Sequence, residues 1–345
     1  TLPPWSLRHK TDGTIQKDLD DGIDTIGKKM TVCQLYAKQI RHRGNVRYNT
    51  KNGRKRLMKL LEEDKLGGCP IDSVKLSDAK EWAIRMKEKG ISYKTISNDK
   101  RSLKAAFYTA IQDDCIRKNP FDFQLNTVIE DDTEPKVPLT PAQEESFLSF
   151  AQNDKVYQKY YDELIILLGT GFRISELCGL TDTDIDFENR IINVDHQLLR
   201  SAKTGYYIET PKTKSGIRQI PMSEKVYEAF NRVLKRRRGA KAVTIDGYSN
   251  FLFLNRDGYP KTATNYDGMF RGHAKKYNKY HEEALPKVMT PHTLRHTFCT
   301  NMANAGMNPK ALQYITGHSN ITMTLNYYAH ATFDSAKAEM LRIAA

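Results

Sequence analysis

A break in periodicity between residues 121 and 138 constrains this chain most. Asp131, Asp132, Glu134, Pro135 and Pro138 crowd a stretch with little periodic apolar content, which reads as a linker between two domains. Before it, apolar residues recur at helical spacing: Val32, Leu35 and Tyr36; Leu57, Leu60 and Leu61; Trp82, Ile84 and Met86; Ile96, Leu103, Phe107 and Ile111. Ser77 to Glu81 and Ser92 to Asn98 supply N-cap candidates, so about four helices fill residues 30–118 and stop at Asn119-Pro120. After the break the period changes, and a mixed domain is expected. Residues 1–27 read as a polar lead-in with a short helix.

The 345 residues suffice for two ordinary cores. A net charge of +13 favours a polyanionic partner, nucleic acid first and an anionic membrane second. The charge is not evenly spread. Eleven Lys or Arg and no acid fall between Lys28 and Leu61. Solvated faces generally mix signs, so Lys38, Arg41, Arg43, Arg47, Lys51, Arg54, Lys55 and Arg56 are candidate contacts to a phosphate backbone. Tyr36 and Tyr48 are interleaved with them, to bond phosphates or pack beneath. No apolar run approaches a membrane span, and the first residues are not a secretory signal. Five scattered cysteines without a Cys-x-x-Cys read as reduced thiols in the cytosol.

The second domain opens at Thr140, Pro141 and Glu144, a cap, a first-turn proline and a first-turn acid. Tyr160 to Leu168 reads as an apolar helix, followed by a turn at Gly169 and Gly171. A second helix begins near Arg173, whose side chain can point toward an anion held at that helix start, while Glu176 reads as structural. Between residues 184 and 222 the pattern alternates, at 185–187, 190–195, 206–209 and 217–221, which predicts one small antiparallel sheet. Its last turn carries Lys212 and Lys214, either within reach of a phosphodiester. Helices at 223–238 and 264–280 flank a short strand at Phe251 to Leu254, and Lys275, Lys276 and Lys279 give the later helix a basic side.

Most of the chemistry lies within residues 291–328. Pro291 fits the first turn of a helix capped by Thr290, and His292 and Arg295 then share one face. A guanidinium beside an imidazole suits the oxygens of one phosphate. A second helix from Pro309 ends at Gly317 and delivers His318, and Tyr327 and Tyr328 follow. His292 and His296 also have the i, i+4 spacing of a zinc pair, but no Glu follows the first His and Arg295 opposes a cation, so no metal is expected. The short helices around Gly317 offer a competing helix-turn-helix reading, a regulator that binds DNA without cutting it.

Taken together, Arg173, Lys212, His292-x-x-Arg295, Gly317-His318 and Tyr327 resemble the tyrosine recombinases, the phage-integrase and Xer-type family. Asn119 to Gln124, Tyr206 to Gly216 and His292 to Tyr328 are similar to the integrases of conjugative transposons of Gram-positive bacteria. The resemblance spans residue 28 to the end. It implies a mainly α fold with a small antiparallel β-sheet, arranged as a two-domain clamp on DNA: a helical core-binding domain (28–120), a linker (121–138) and a mixed catalytic domain (139–330). Residues 1–27 would be the remnant of an arm-binding region, and 331–345 a C-terminal helix that packs in trans.

By the same resemblance, Arg173 and Arg295 hold the scissile phosphate. Lys212 protonates the departing 5′-oxygen, with Lys214 as its rival. His292 assists proton transfer, His318 hydrogen-bonds the phosphate, and Tyr327 attacks to give a 3′-phosphotyrosyl link. Tyr328, with His330, fits the Tyr-x-His ending of other relatives, while Tyr327 has the nine-residue spacing from His318. No cofactor is expected. The implied partners are double-stranded DNA (element ends, target and circular intermediate), further copies of the chain (a dimer on one site, a tetramer in synapsis) and an excisionase-type accessory protein. The implied location is the bacterial cytoplasm, at the nucleoid. A relaxing topoisomerase with the same covalent chemistry is the other alternative.

Overall fold

The computed structural model describes residues 27–44, 46–134, 137–211, 213–237, 243–282, 284–286, 288–328 and 340–341, with the side chain of Lys28 excepted. The chain divides into two compact units, Thr1–Pro135 and Lys136–Ala345.

The first unit carries α1 (Val32–His42), α2 (Tyr48–Glu62), α3 (Leu76–Glu88) and α4 (Tyr93–Gln112). Thr31 and Ser92 cap α1 and α4 by accepting the Gln34 and Thr95 N–H groups. Helix α3 starts earlier than the Ser77 signal suggests: Lys75 is its N-cap, and the Asp78 carboxylate takes the Lys75 N–H. Apolar stripes of the four helices meet around Trp82 and Phe107. The stretch read as a linker begins inside this core. Phe121, Leu125 and Ile129 are buried there, with Phe121 against Trp82 and Phe107. Five apolar residues spread over nine positions gave no period, yet they close the bundle.

The second unit begins with α5 (Pro141–Asn153), α6 (Tyr161–Thr170) and α7 (Ile174–Gly179). Five strands follow: β1 (Ile185–Asp186), β2 (Ile191–Val194), β3 (Gln197–Ser201), β4 (Gly205–Glu209) and β5 (Arg218–Pro221). They form two antiparallel sheets rather than one, β1-β2-β5 and β3-β4. In the second sheet Gln197 pairs with Glu209 and Ser201 with Gly205. Strand β3, which reads Gln-Leu-Leu-Arg-Ser, lacks clean alternation and was missed. As a result β4 and β5 lie in different sheets and do not form a hairpin with each other.

Then come α8 (Glu224–Arg237), α9 (Ala263–Tyr280), α10 (Pro291–Asn304), α11 (Pro309–Thr316) and α12 (Ile321–Leu325). Phe251 to Leu254 makes isolated bridges to Thr181 and Pro260, not a strand. Lys276 on α9 is spent on an ion pair with Asp154, so the basic side of that helix is smaller than its sequence suggests. A single core of aromatic and aliphatic side chains runs from Leu139 to Leu294, with a satellite cluster of Phe298, Cys299 and Leu312 beneath α10 and α11. Most of the helix expected over 331–345 and all but the last residue of the 1–27 lead-in lie outside the described residues. Among the described residues no helix is long and apolar enough to cross a membrane.

Candidate active site

Two helix ends of the same design set the site's frame. Helix α6 ends at Gly171 (φ +63°), two residues before Arg173, which is the N-cap of α7. Helix α11 ends at Gly317 (φ +64°), one residue before His318. Both glycines adopt the left-handed conformation that ends helices cheaply only without a Cβ. Neither has room for one: it would meet the Phe298 ring at 2.4 Å at Gly171 and the Ser215 carbonyl at 2.9 Å at Gly317.

Arginines tie these two ends together. The Arg295 guanidinium, on α10 and 5% exposed, donates to the Gly171 carbonyl at 2.6 Å and to the Thr316 carbonyl at 2.5 Å. Arg173 donates to the Gly317 carbonyl at 2.8 Å and to Glu176 at 2.7 Å. Beneath them Glu176 accepts two bonds from Arg218, at 3.1 and 2.9 Å, and Arg218 also donates to the Ile315 carbonyl. Burial alone pushes the Glu176 carboxyl up, but Arg218 and then Arg173 outweigh it and hold it below the ordinary carboxylate range. Glu176 is therefore the buried anion that lets three arginines converge. Burial, then Arg173, pulls Arg295 down to about 10, which leaves it charged at neutral pH.

These groups open onto a cavity of about 680 Å³. Arg173, His292, Arg295, His318 and Tyr327 all line it, beside His296, Thr300, Asn304, Met323 and Asn326. His292, in the first turn of α10, is exposed. His318 is buried, with its Nδ1 3.0 Å from the Thr324 hydroxyl. Burial and then the nearby Arg295 and Arg173 lower its pKa to about 4, so the ring is neutral at physiological pH. Its ring lies parallel to that of Tyr327, with centroids 6.4 Å apart. The Tyr327 hydroxyl is 3.2 Å from His296 Nδ1. Burial first, and Cys299 second, raise its pKa well above the ordinary phenol, against the opposing effect of Arg295. Tyr328 turns the other way and donates its hydroxyl to the Met307 carbonyl at 2.5 Å.

Five of the six residues expected to do chemistry thus meet in one cavity. Lys212 lies outside the described residues. Lys214 is exposed on the turn after it and does not line the cavity. The basic run of the first unit divides. Arg41, Arg43, Lys51 and Lys55 are exposed, and Arg47 and Arg54 are partly so. Lys38 and Arg56 instead pair with Asp113, just past α4, and Asp99 of α4, acids that the run itself lacks. Tyr36 is buried, which agrees with packing beneath the basic residues, the second of its two expected roles, and not with bonding phosphate. Sequence reading missed Arg218, Thr324 and Cys299, which carry no motif. It met His296 only as half of a zinc pair. Its position one residue past Arg295 was the available signal.

With this geometry in hand, the chain was compared with known proteins. The phage integrase family matches residues 138–335, more than half of the chain. The chain belongs to the phage integrase family. It is a tyrosine recombinase of the integrase type, an enzyme of DNA breaking and rejoining. It is 67% identical over 338 residues to the transposase from transposon Tn916 of Enterococcus faecalis, covering 98% of this chain and 83% of the relative. The transposase from transposon Tn1545 of Streptococcus pneumoniae gives the same figures. Among solved structures it is similar to the Tn1549 transposon integrase in complex with a circular intermediate DNA, at 77% identity and a TM-score of 0.87, over 91% of this chain and 99% of that one. A lambda integrase dimer on a core site, at 15% identity and a TM-score of 0.59, shares the fold.

Proposed function

We propose that this recombinase cuts and rejoins DNA at the ends of a mobile element, with Tyr327 as nucleophile and Arg173 and Arg295 as the clamp on the scissile phosphate. The observation that carries the reading is the cavity lined by Arg173, His292, Arg295, His318 and Tyr327 together. Two fixed positive charges held by carbonyls and by Glu176 stabilise the charge that builds on the non-bridging oxygens, and they need no reorganisation as the reaction proceeds. Neutral His318 donates from Nε2 to one of those oxygens, in the tautomer whose Nδ1 accepts the Thr324 hydroxyl. His292 assists proton transfer from the cavity mouth. Lys212 gives a proton to the departing 5′-oxygen, a role that rests on the family resemblance. The 3′-phosphotyrosyl link keeps the bond energy for rejoining.

What supports Tyr327 over Tyr328 is that it lines the cavity, with its hydroxyl beside His296, while the Tyr328 hydroxyl is tied to the Met307 carbonyl. The Tn1549 relative was solved on transposon right-end DNA and on circular intermediate DNA, which supports the same two DNA forms as substrates here. On this reading the first unit is the core-binding domain and the second the catalytic domain. Two protomers occupy one site and four make a synapse, and an excisionase-type protein directs excision.

The test is a nicked duplex of the element's end, labelled on one strand and incubated in EDTA. A covalent band that survives Tyr328→Phe and vanishes with Tyr327→Phe is expected. Tight binding with no band from the unsubstituted protein on any element end would overturn the reading. Native mass measurement of the trapped complex, expected at two protomers per site, tests the assembly.

A further inference from the structure

Beyond His292, which assists proton transfer from the cavity mouth, the Tyr327 phenol needs a group close enough to take its proton directly. Tyr327 must lose its phenolic proton as it attacks, and its pocket holds the phenol in the protonated form. Arg295 and Arg173 are donors only. The His318 ring lies parallel to that of Tyr327 with centroids 6.4 Å apart, and its Nδ1 is already engaged with Thr324. Buried Cys299, beside the phenol, has its thiol pushed up by burial and so stays protonated. His296 differs from all of these. Its Nδ1 is 3.2 Å from the Tyr327 hydroxyl, within the range for direct proton transfer.

The ring is aimed by the helix that carries the phosphate clamp. His296 follows Arg295 on α10, so the residue that grips the phosphate and the one that faces the nucleophile share a rigid frame. Its ring is tilted 55° to that of Tyr327, with centroids 5.4 Å apart, so the rings do not stack and it is Nδ1 that lies at the hydroxyl.

We propose that His296 is the general base of strand cleavage, which takes the Tyr327 proton on Nδ1. The inference rests on Tyr327 being the nucleophile. As the phenolic oxygen bonds to phosphorus, the O–H proton moves to Nδ1 and the imidazole becomes imidazolium. The P–O bond to the 5′-carbon side breaks, and that oxygen is protonated separately by the general acid. In rejoining, the 5′-hydroxyl attacks phosphorus, tyrosinate leaves, and the imidazolium returns the proton to it. One histidine thus opens and closes the cycle with no net proton change. Neutral imidazole with a lone pair on Nδ1 also holds the hydroxyl in place before DNA is cut.

The experiment compares two versions of the nicked element end, one normal and one with sulfur in place of the bridging 5′-oxygen. A thiolate leaves without a proton, so the sulfur substrate dispenses with the general acid but still needs a base. His296→Asn keeps a polar group near the Nδ1 position yet cannot take a proton. We expect His296→Asn and His296→Ala to bind the duplex as the wild type does and to form the covalent complex about 100-fold or more slowly on both substrates. Lys212→Ala should recover on the sulfur substrate alone. Added imidazole should speed His296→Ala, a rescue that a packing role would not give. Cleavage by His296→Asn within a few-fold of wild type would overturn the proposal, as would full recovery of His296→Ala on sulfur. Should Tyr327→Phe still form the covalent band, it is the nucleophile assignment that has failed, and this inference falls with it.

Discussion

Each arginine of the site is held by acceptors that leave it little freedom, and this sets what substitution does. Arg295 spans two carbonyls, 124 and 21 residues away in sequence, so its planar fork is used for structure as well as for charge. Lysine carries the charge but cannot span both. Arg295→Lys should therefore lose about 100-fold or more in covalent-complex formation, close to the loss from Arg295→Ala, by the same gel assay. Glu176 makes the opposite kind of contribution. Its folded pKa is depressed, so the stability it confers is present above its unfolded value of about 4.3 and is lost as pH falls through the folded value. Glu176→Gln leaves Arg218 buried without its partner and should cost about 3–5 kcal/mol in urea denaturation at pH 7. The gap to wild type should narrow in acid. His273 sits among Phe147, Phe150 and Tyr157, where burial lowers its pKa to about 4. Folding then excludes a proton that the unfolded chain takes up, so stability falls as pH drops from about 6.5 toward 4. His273→Phe should flatten that part of the melting-temperature profile.

At the scale of elements, Arg173 and His318 are delivered by helix ends, whereas Arg295 comes from the face of α10. Gly171 releases the chain to Arg173 and Gly317 releases it to His318, and Arg295 and Arg173 fasten both ends by their carbonyls. A side chain at either glycine is opposed twice, by the left-handed backbone and by a contact within 3 Å. Gly317→Ala should cost about 1–3 kcal/mol in urea denaturation. Because it shifts His318 and the Arg173 acceptor together, cleavage should fall by up to about 100-fold, more than the stability loss accounts for. Circular dichroism and the covalent-complex assay on one preparation separate the two effects.

At the scale of the whole molecule, the net charge of +13 is a statement about DNA only where it stays unpaired. Lys38 and Arg56 are held by Asp113 and Asp99, and Asp99 is buried. Arg56→Ala should therefore destabilise the first unit by about 1–3 kcal/mol while changing the salt dependence of binding little. Alanine at Arg41, Lys51 or Lys55, all exposed, should leave stability alone and lower the slope of log affinity against log salt by about one each, measured by gel shift. The sequence alone determined the helices of the first unit and the cap at Ser92, since apolar period and capping chemistry act within a few residues. It also determined which residue types stand at Arg173, His292, Arg295, His318 and Tyr327, because helix spacing and two C-cap glycines fix where each side chain leaves the backbone. What it left open was everything decided by contacts between distant segments. Whether Phe121 to Ile129 is linker or core depended on the face left open by Trp82 and Phe107. The split into two sheets depended on β2 choosing β5 over β3. Which tyrosine lines the cavity depended on the Met307 carbonyl that holds Tyr328, and His296 meets Tyr327 only because α10 carries it there. Such pairings are set by packing across tens of residues, where no local period records which partner will arrive.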